Sequence, residues 1–73
     1  MQNQNLLKIE EDILNVMKKL NASKEASSKS IKEIAVKSNR SKNLILNVTD
    51  RLVKKKLIGK TIVNKSIHYF LLN

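Results

Sequence analysis

Apolar residues recur at spacings of three and four through the first quarter of the chain, at Leu6, Ile9, Ile13, Val16 or Met17, and Leu20, with the polar residues of KIEED and NVMKK around them. That spacing draws one apolar stripe along a helix of 3.6-residue period, and it predicts a helix over about residues 5–20. Asn3 or Asn5 can cap its start, while the acids of its first half and Lys18 and Lys19 in its last turn suit the helix dipole. Consecutive helical positions point in different directions, so Glu10, Glu11 and Asp12 are expected to be solvated, dipole-matching charges and not a metal or acid–base cluster.

The next stretch, NASKEASSK at residues 21–29, is small, polar and without period, which predicts a loop with a short extended piece near residues 26–28. Ser30 followed three residues later by Glu33 is a capping-box pattern. Ile31, Ile34 and Ala35 then supply the buried face of a short helix over about residues 30–38. Asn39 is suited to the left-handed conformation that ends a helix. Ser41 caps again, and Leu44, Ile45, Val48, Leu52 and Val53 continue at helical spacing to Leu57 and Ile58, predicting a longer helix over about 41–57. Its other face carries Lys42, Asn43, Asn47, Asp50, Arg51, Lys54 and Lys55, with Asp50 and Lys54 spaced for an ion pair.

The period changes after Gly59, the only glycine. KTIV and SIHYFLL are rich in β-branched and aromatic residues, and Asn64-Lys65 between them suits a hairpin turn, so a two-stranded hairpin is predicted over about 59–72. From Tyr69 to Leu72 the second strand is apolar on both faces, which asks for a neighbour besides the helical core: the first helix, a short third strand or another subunit. Seventy-three residues make one domain, helix, loop, short helix, turn, longer helix and hairpin, of the α+β class.

Charge adds direction to this outline. Residues 1–28 hold four cations and four anions, whereas residues 29–73 hold eleven cations and only Glu33 and Asp50, so the net +9 belongs to the second part. That part is also rich in Ile, Leu and Val, so the charge decorates a folded surface and the natural partner is an anionic polymer. With no cysteine and one histidine, disulfides and thiolate metal sites are excluded and no metal or cofactor is expected. No apolar run approaches the roughly 20 residues that span a bilayer, and MQNQN lacks the order of a signal peptide, so an intracellular, soluble protein without a membrane partner is expected. No nucleophile–histidine pair or glycine-rich phosphate loop is present, and no enzymatic activity is expected.

From Ile31 to Leu72 the chain resembles the winged helix-turn-helix domains of prokaryotic transcription regulators of the MarR and ArsR types. The resemblance lies in Ile34-Ala35 in a short helix, Asn39 in the turn and Ser41 capping the next helix, then the apolar positions Ile45, Val48 and Leu52, the closure at Leu57-Ile58 and a hairpin ending in Tyr69 and Leu71. It covers nearly the whole chain, about residues 6–72. Two positions depart from the pattern. Lys56 stands where the family has glycine, which would cost about 1 kcal/mol in a left-handed conformation, so the helix is expected to close with Gly59 absorbing the turn. Arg40 stands where an aliphatic residue is usual.

What the resemblance implies is sequence-selective binding of double-stranded DNA by a small transcription regulator, cytoplasmic and DNA-associated in a prokaryote or virus. In such domains the recognition helix enters the major groove and flanking groups hold phosphates. Lys42, Asn43, Asn47 and Arg51 are then the expected base readers, with Leu46 against a thymine methyl. Lys29, Lys32, Ser38, Arg40 and Ser41 are expected on phosphates, and Lys60, Lys65 and His68 of the wing on the backbone or minor groove. A homodimer through the first helix or the last strand would satisfy the two-faced apolar end. Two other partner classes fit the same outline: a protein, if the domain is an interaction module, or DNA or RNA bound without selectivity in an architectural role. Only two aromatics, Tyr69 and Phe70, speak against stacking on single strands.

Overall fold

The computed structural model describes residues 6–72. Its elements are α1 (Lys8–Lys19), a single 3-10 turn (Glu25–Ser27), β1 (Lys29–Ser30), α2 (Ile31–Ser38), α3 (Lys42–Lys54), β2 (Ile58–Val63) and β3 (Ser66–Leu71). Three helices thus pack with a three-stranded antiparallel sheet of order β1-β3-β2. The layout is compatible with a winged-helix arrangement. The extended piece expected near residues 26–28 lies at 29–30 instead, because Glu25–Ser27 close a 3-10 turn in which Ser27 N–H reaches Lys24 O at 3.0 Å. The expected caps Asn3 and Asn5 lie outside the described residues. The N-cap position is Leu7, whose N–H donates to Glu10 Oε1 at 3.0 Å.

Each helix ends in the same way. Asn21, Asn39 and Lys56 adopt left-handed backbone, with φ of 59°, 59° and 62°. In each case the following N–H bonds back across the turn: Ala22 to Met17 O, Arg40 to Ala35 O and Leu57 to Leu52 O, at 3.0, 3.0 and 3.1 Å. The left-handed residue itself bonds Lys18 O, Val36 O or Val53 O, completing three Schellman motifs. This corrects the expected end of α3. The helix stops at Lys54 and not near residue 57, Lys56 takes the strained position, and Gly59 has no positive φ. Leu57 and Ile58 continue the helical spacing in sequence because the residue after a Schellman turn packs back against the last helical turn. Gly59 has another role: a Cβ there would stand 2.5 Å from Cζ of Phe70, its cross-strand partner, so the missing side chain lets the ring lie over the strand.

Ile13, Met17, Ile34, Ile45, Val48, Leu52, Ile58 and Tyr69 close the core between helices and sheet, with Ala22 and Ala35 where elements approach closely. The apolar end of β3 finds its neighbours within the chain. Lys29 and Ser30 pair with Tyr69 and His68, Leu71 N–H donates to Ala22 O at 2.6 Å, and Leu72 N–H to Leu57 O at 3.0 Å. Two hydroxyls are buried with this core. Thr49 bonds back to Ile45 O at 2.8 Å, which satisfies its hydroxyl inside α3. Tyr69 is 1% exposed, and its hydroxyl meets no partner among the described residues.

Candidate nucleic-acid interface

The turn between α2 and α3 fixes how α3 is presented. Ser30 and Glu33 form the expected capping box, Glu33 N–H donating to Ser30 Oγ at 3.1 Å and Ser30 N–H to Glu33 Oε1 at 2.9 Å. That second bond, with help from the nearby positive charge of Lys29, holds the Glu33 carboxyl below its ordinary pKa. After the Schellman turn at Asn39, Ser41 Oγ accepts from Leu44 N–H at 3.2 Å and starts α3. Two opposed caps therefore set the angle between the helices with only residues 39–41 between them.

Burial along α3 divides it cleanly. Ile45, Val48, Thr49 and Leu52 face the core, while Lys42, Asn43, Leu46, Asn47, Asp50 and Lys54 form an exposed stripe. The first part of that stripe opens on a groove. Lys42, Asn43 and Leu46 form one wall, Ile31 and Lys32 at the start of α2 a second, and Lys65, Ser66 and Ile67 at the hairpin tip the third. The tip is a two-residue turn with positive φ at both Asn64 and Lys65, 50° and 70°, as a type I′ hairpin requires. It presents the Lys65 ammonium at the groove mouth. Ile67 is paired with Ile62 across the hairpin, and both are exposed, giving the groove a partly apolar lining with a lysine rim.

Of the residues named from the sequence, Lys32, Lys42, Asn43, Leu46 and Lys65 come together here, with Asn47 a turn further along the same stripe. Lys60 is exposed on the edge strand β2. Ser41 serves as a cap, and Ser38 turns inward, donating to Ala35 O at 3.2 Å. His68 alternates with buried Tyr69 along β3 and therefore lies on the outer sheet face, its Nδ1 3.5 Å from Ser28 O. Lys29, half-buried in β1, neighbours Glu33 instead of lining the groove. The structure adds Ile31, Ser66 and Ile67 to the groove lining. The hairpin register is the sequence signal for Ser66 and Ile67, and the position after the Ser30 cap is the signal for Ile31.

The arginines are placed differently from expectation. Arg51 was expected to read bases, yet it lies on the α1 flank of α3, where its Nε donates to Glu10 Oε2 at 2.9 Å. Lys55, one turn further on the same flank, donates to Glu10 Oε1 at 2.7 Å. Glu10 is completely buried, so it is not the solvated charge its neighbours Glu11 and Asp12 suggested. The Lys55 ammonium first, then Leu7 N–H and Arg51, outweigh the cost of burial and hold its pKa down at about 2. A buried carboxylate is tolerated here because both oxygens are bonded. Arg40, expected on a phosphate, has Nη2 3.3 Å from Asp12 Oδ2, with both side chains about one-third exposed, 37% and 34%. Asp12 also lies 3.8 Å from Lys8.

Among the described residues, no group of three or more His, Cys, Asp or Glu side chains is placed to hold a metal ion, and no helix is long and apolar enough to cross a membrane. No family model, curated protein or solved structure matches the chain.

Proposed function

We propose that this domain is a winged helix that binds double-stranded DNA with sequence selectivity, as a small transcription regulator working where the DNA is held. The observation that carries the reading is the convergence of Lys42, Asn43 and Leu46 of α3 with Lys32 and Lys65 around one open groove. An exposed helix face with amide and ammonium groups suits the edges of bases in a major groove about 12 Å wide, and a cationic hairpin beside it suits phosphate or minor groove. The helix start adds its own partial positive charge to those cations.

Selection from a pool of random duplexes at about 150 mM salt tests the reading. An enriched motif supports it. Equal retention of every duplex points to an architectural binder, and no retention points to a protein partner, for which the apolar surfaces of Ile31, Leu46 and Ile67 would be the contact. A twofold site would require a second copy of the chain. The open groove between α1 and the end of β3, lined by Leu14, Leu57, Leu71 and Leu72 with Lys18 as its one cation, is where two copies of a +9 chain would meet with little repulsion. A monomer mass by light scattering, unchanged on concentrating through the micromolar range, refutes that dimer.

A further inference from the structure

We infer that the sequence read by α3 is composed of A·T pairs, an inference that rests on the DNA-binding reading above. It comes from what the fold removes from the reading face as much as from what it leaves there. The chain has two arginines, and arginine is the commonest bidentate partner of guanine O6 and N7. Both arginines are tied to carboxylates of α1: Arg51 to Glu10 at 2.9 Å and Arg40 to Asp12 at 3.3 Å. Releasing Arg51 to a base would take one of the partners from a carboxylate with no exposed surface. That loss would offset the benefit of pairing with guanine.

The exposed stripe that remains carries Asn43 and Asn47, one helical turn apart, with Leu46 beside them at 40% exposure. Four residues of helix advance about 6 Å along its axis, close to two base-pair steps of about 3.4 Å, so the two amides can address bases two steps apart. An asparagine amide matches adenine, donating to N7 and accepting from N6–H, and an apolar side chain matches the thymine methyl. Lys42, at the helix start, is the one exposed group of these turns that could pair with guanine O6 and N7. Beside Lys32 and Lys65 around the same groove, its ammonium is assigned to a phosphate. Past Asn47 the exposed Asp50 repels phosphates and opposes the charge of Lys54 one turn further on, so reading is assigned to the first two turns of α3. Those turns offer two adenine readers and one methyl contact.

The experiment uses the whole chain and the duplex motif it selects, with two base analogues. Each A·T to G·C exchange in the core should weaken binding about 5- to 160-fold. Inosine·cytosine pairs present G·C edges in the major groove and A·T edges in the minor groove. They should weaken binding as G·C does if α3 does the reading. Deoxyuridine in place of thymidine removes only the methyl and should weaken binding at one thymine at least. Asn43→Ala and Asn47→Ala should each level the preference at one pair. A core of G·C pairs, or full affinity for the inosine duplex, overturns the inference while selective DNA binding stands. Equal retention of all duplexes, or of none, overturns the inference together with the reading beneath it.

Discussion

Replacing Lys56 by glycine should stabilise the protein. Lys56 holds a left-handed φ of 62° so that its own N–H can reach Val53 O at 2.9 Å and the next N–H can reach Leu52 O at 3.1 Å. An L-residue with a Cβ pays roughly 1–2 kcal/mol for that conformation. Glycine would remove the cost but lose more chain entropy on folding, about 0.5–1 kcal/mol, leaving a net gain of about 0.5–1 kcal/mol. The lysine side chain is exposed and makes no ion pair among the described residues that would be lost. For a domain of this size the gain corresponds to a rise of about 2–8 °C in Tm. Lys56→Ala is the control, since it removes the same charge but keeps the Cβ, and Lys56→Asn should fall between, as asparagine already fills the matching positions at 21 and 39. Thermal and urea unfolding followed by circular dichroism would order the variants Gly, Asn, then Ala and Lys together. If Gly and Ala gave the same shift, relief of charge and not of backbone strain would be the cause, and the argument would fail.

Four further outcomes follow from individual groups. Tyr69→Phe should leave stability unchanged or raise it by up to about 1 kcal/mol in urea unfolding, because the buried hydroxyl meets no partner among the described residues. Glu10 has its folded pKa at about 2, below the ordinary 4.5, so its contribution is complete above pH 4.5 and is lost as pH falls towards 2. That shift is worth at most about 3 kcal/mol, and Glu10→Gln should be less stable at pH 7 while losing less stability on acidification. Arg51→Ala, which breaks the same cluster, should lower Tm at neutral pH and leave the selected DNA motif unaltered once the protein is folded. Lys65→Ala, at the hairpin tip, should weaken DNA binding evenly across sequences and reduce the slope of log K against log salt by about 0.9.

Much of this architecture could be read from local chemistry. Capping at Ser30 and Ser41, the left-handed stop at Asn39 and the turn at Asn64-Lys65 each depend on residues within a few positions, and each has the geometry its sequence requires. The misplaced features depend on contacts across the chain. β1 is two residues long and exists because β3 offers it an edge, so the polar stretch before α2 carries no strand pattern of its own. Lys56 adopts a conformation its own propensity resists, because α3 must end there for Leu57 and Ile58 to pack. The burial of Glu10 does have a signal in the sequence: it lies three residues before Ile13 and seven before Met17, on the stripe those two bury. A charge on that stripe requires partners from elsewhere, and α3 with its C-terminal turn has two cations four residues apart, Arg51 and Lys55, that supply them.

If the domain reads DNA as proposed, the same cluster links stability to recognition. A helix of repeated Lys and Arg would bind any duplex through its phosphates, and selectivity would then have to rise above a strong uniform background. Here α1 places carboxylates against the α1 flank of α3 and against the turn before it, drawing off one charge at Arg51 and balancing another at Arg40. The cations left around the groove, Lys32, Lys42 and Lys65, surround amide and apolar side chains. Cations at a rim raise affinity for any sequence, whereas Asn43, Leu46 and Asn47 can contribute only when the matching base edges lie beneath them. Removing the α1 carboxylate should therefore shift binding towards the uniform kind. In Asp12→Asn, where the partly exposed pair can be broken with little loss of fold, Arg40 is released to phosphate, so affinity for random duplex should rise more than affinity for the selected motif. An equal rise for both would mean that Arg40 contacts the DNA in the specific complex as well, and that Asp12 restrains it without affecting selectivity.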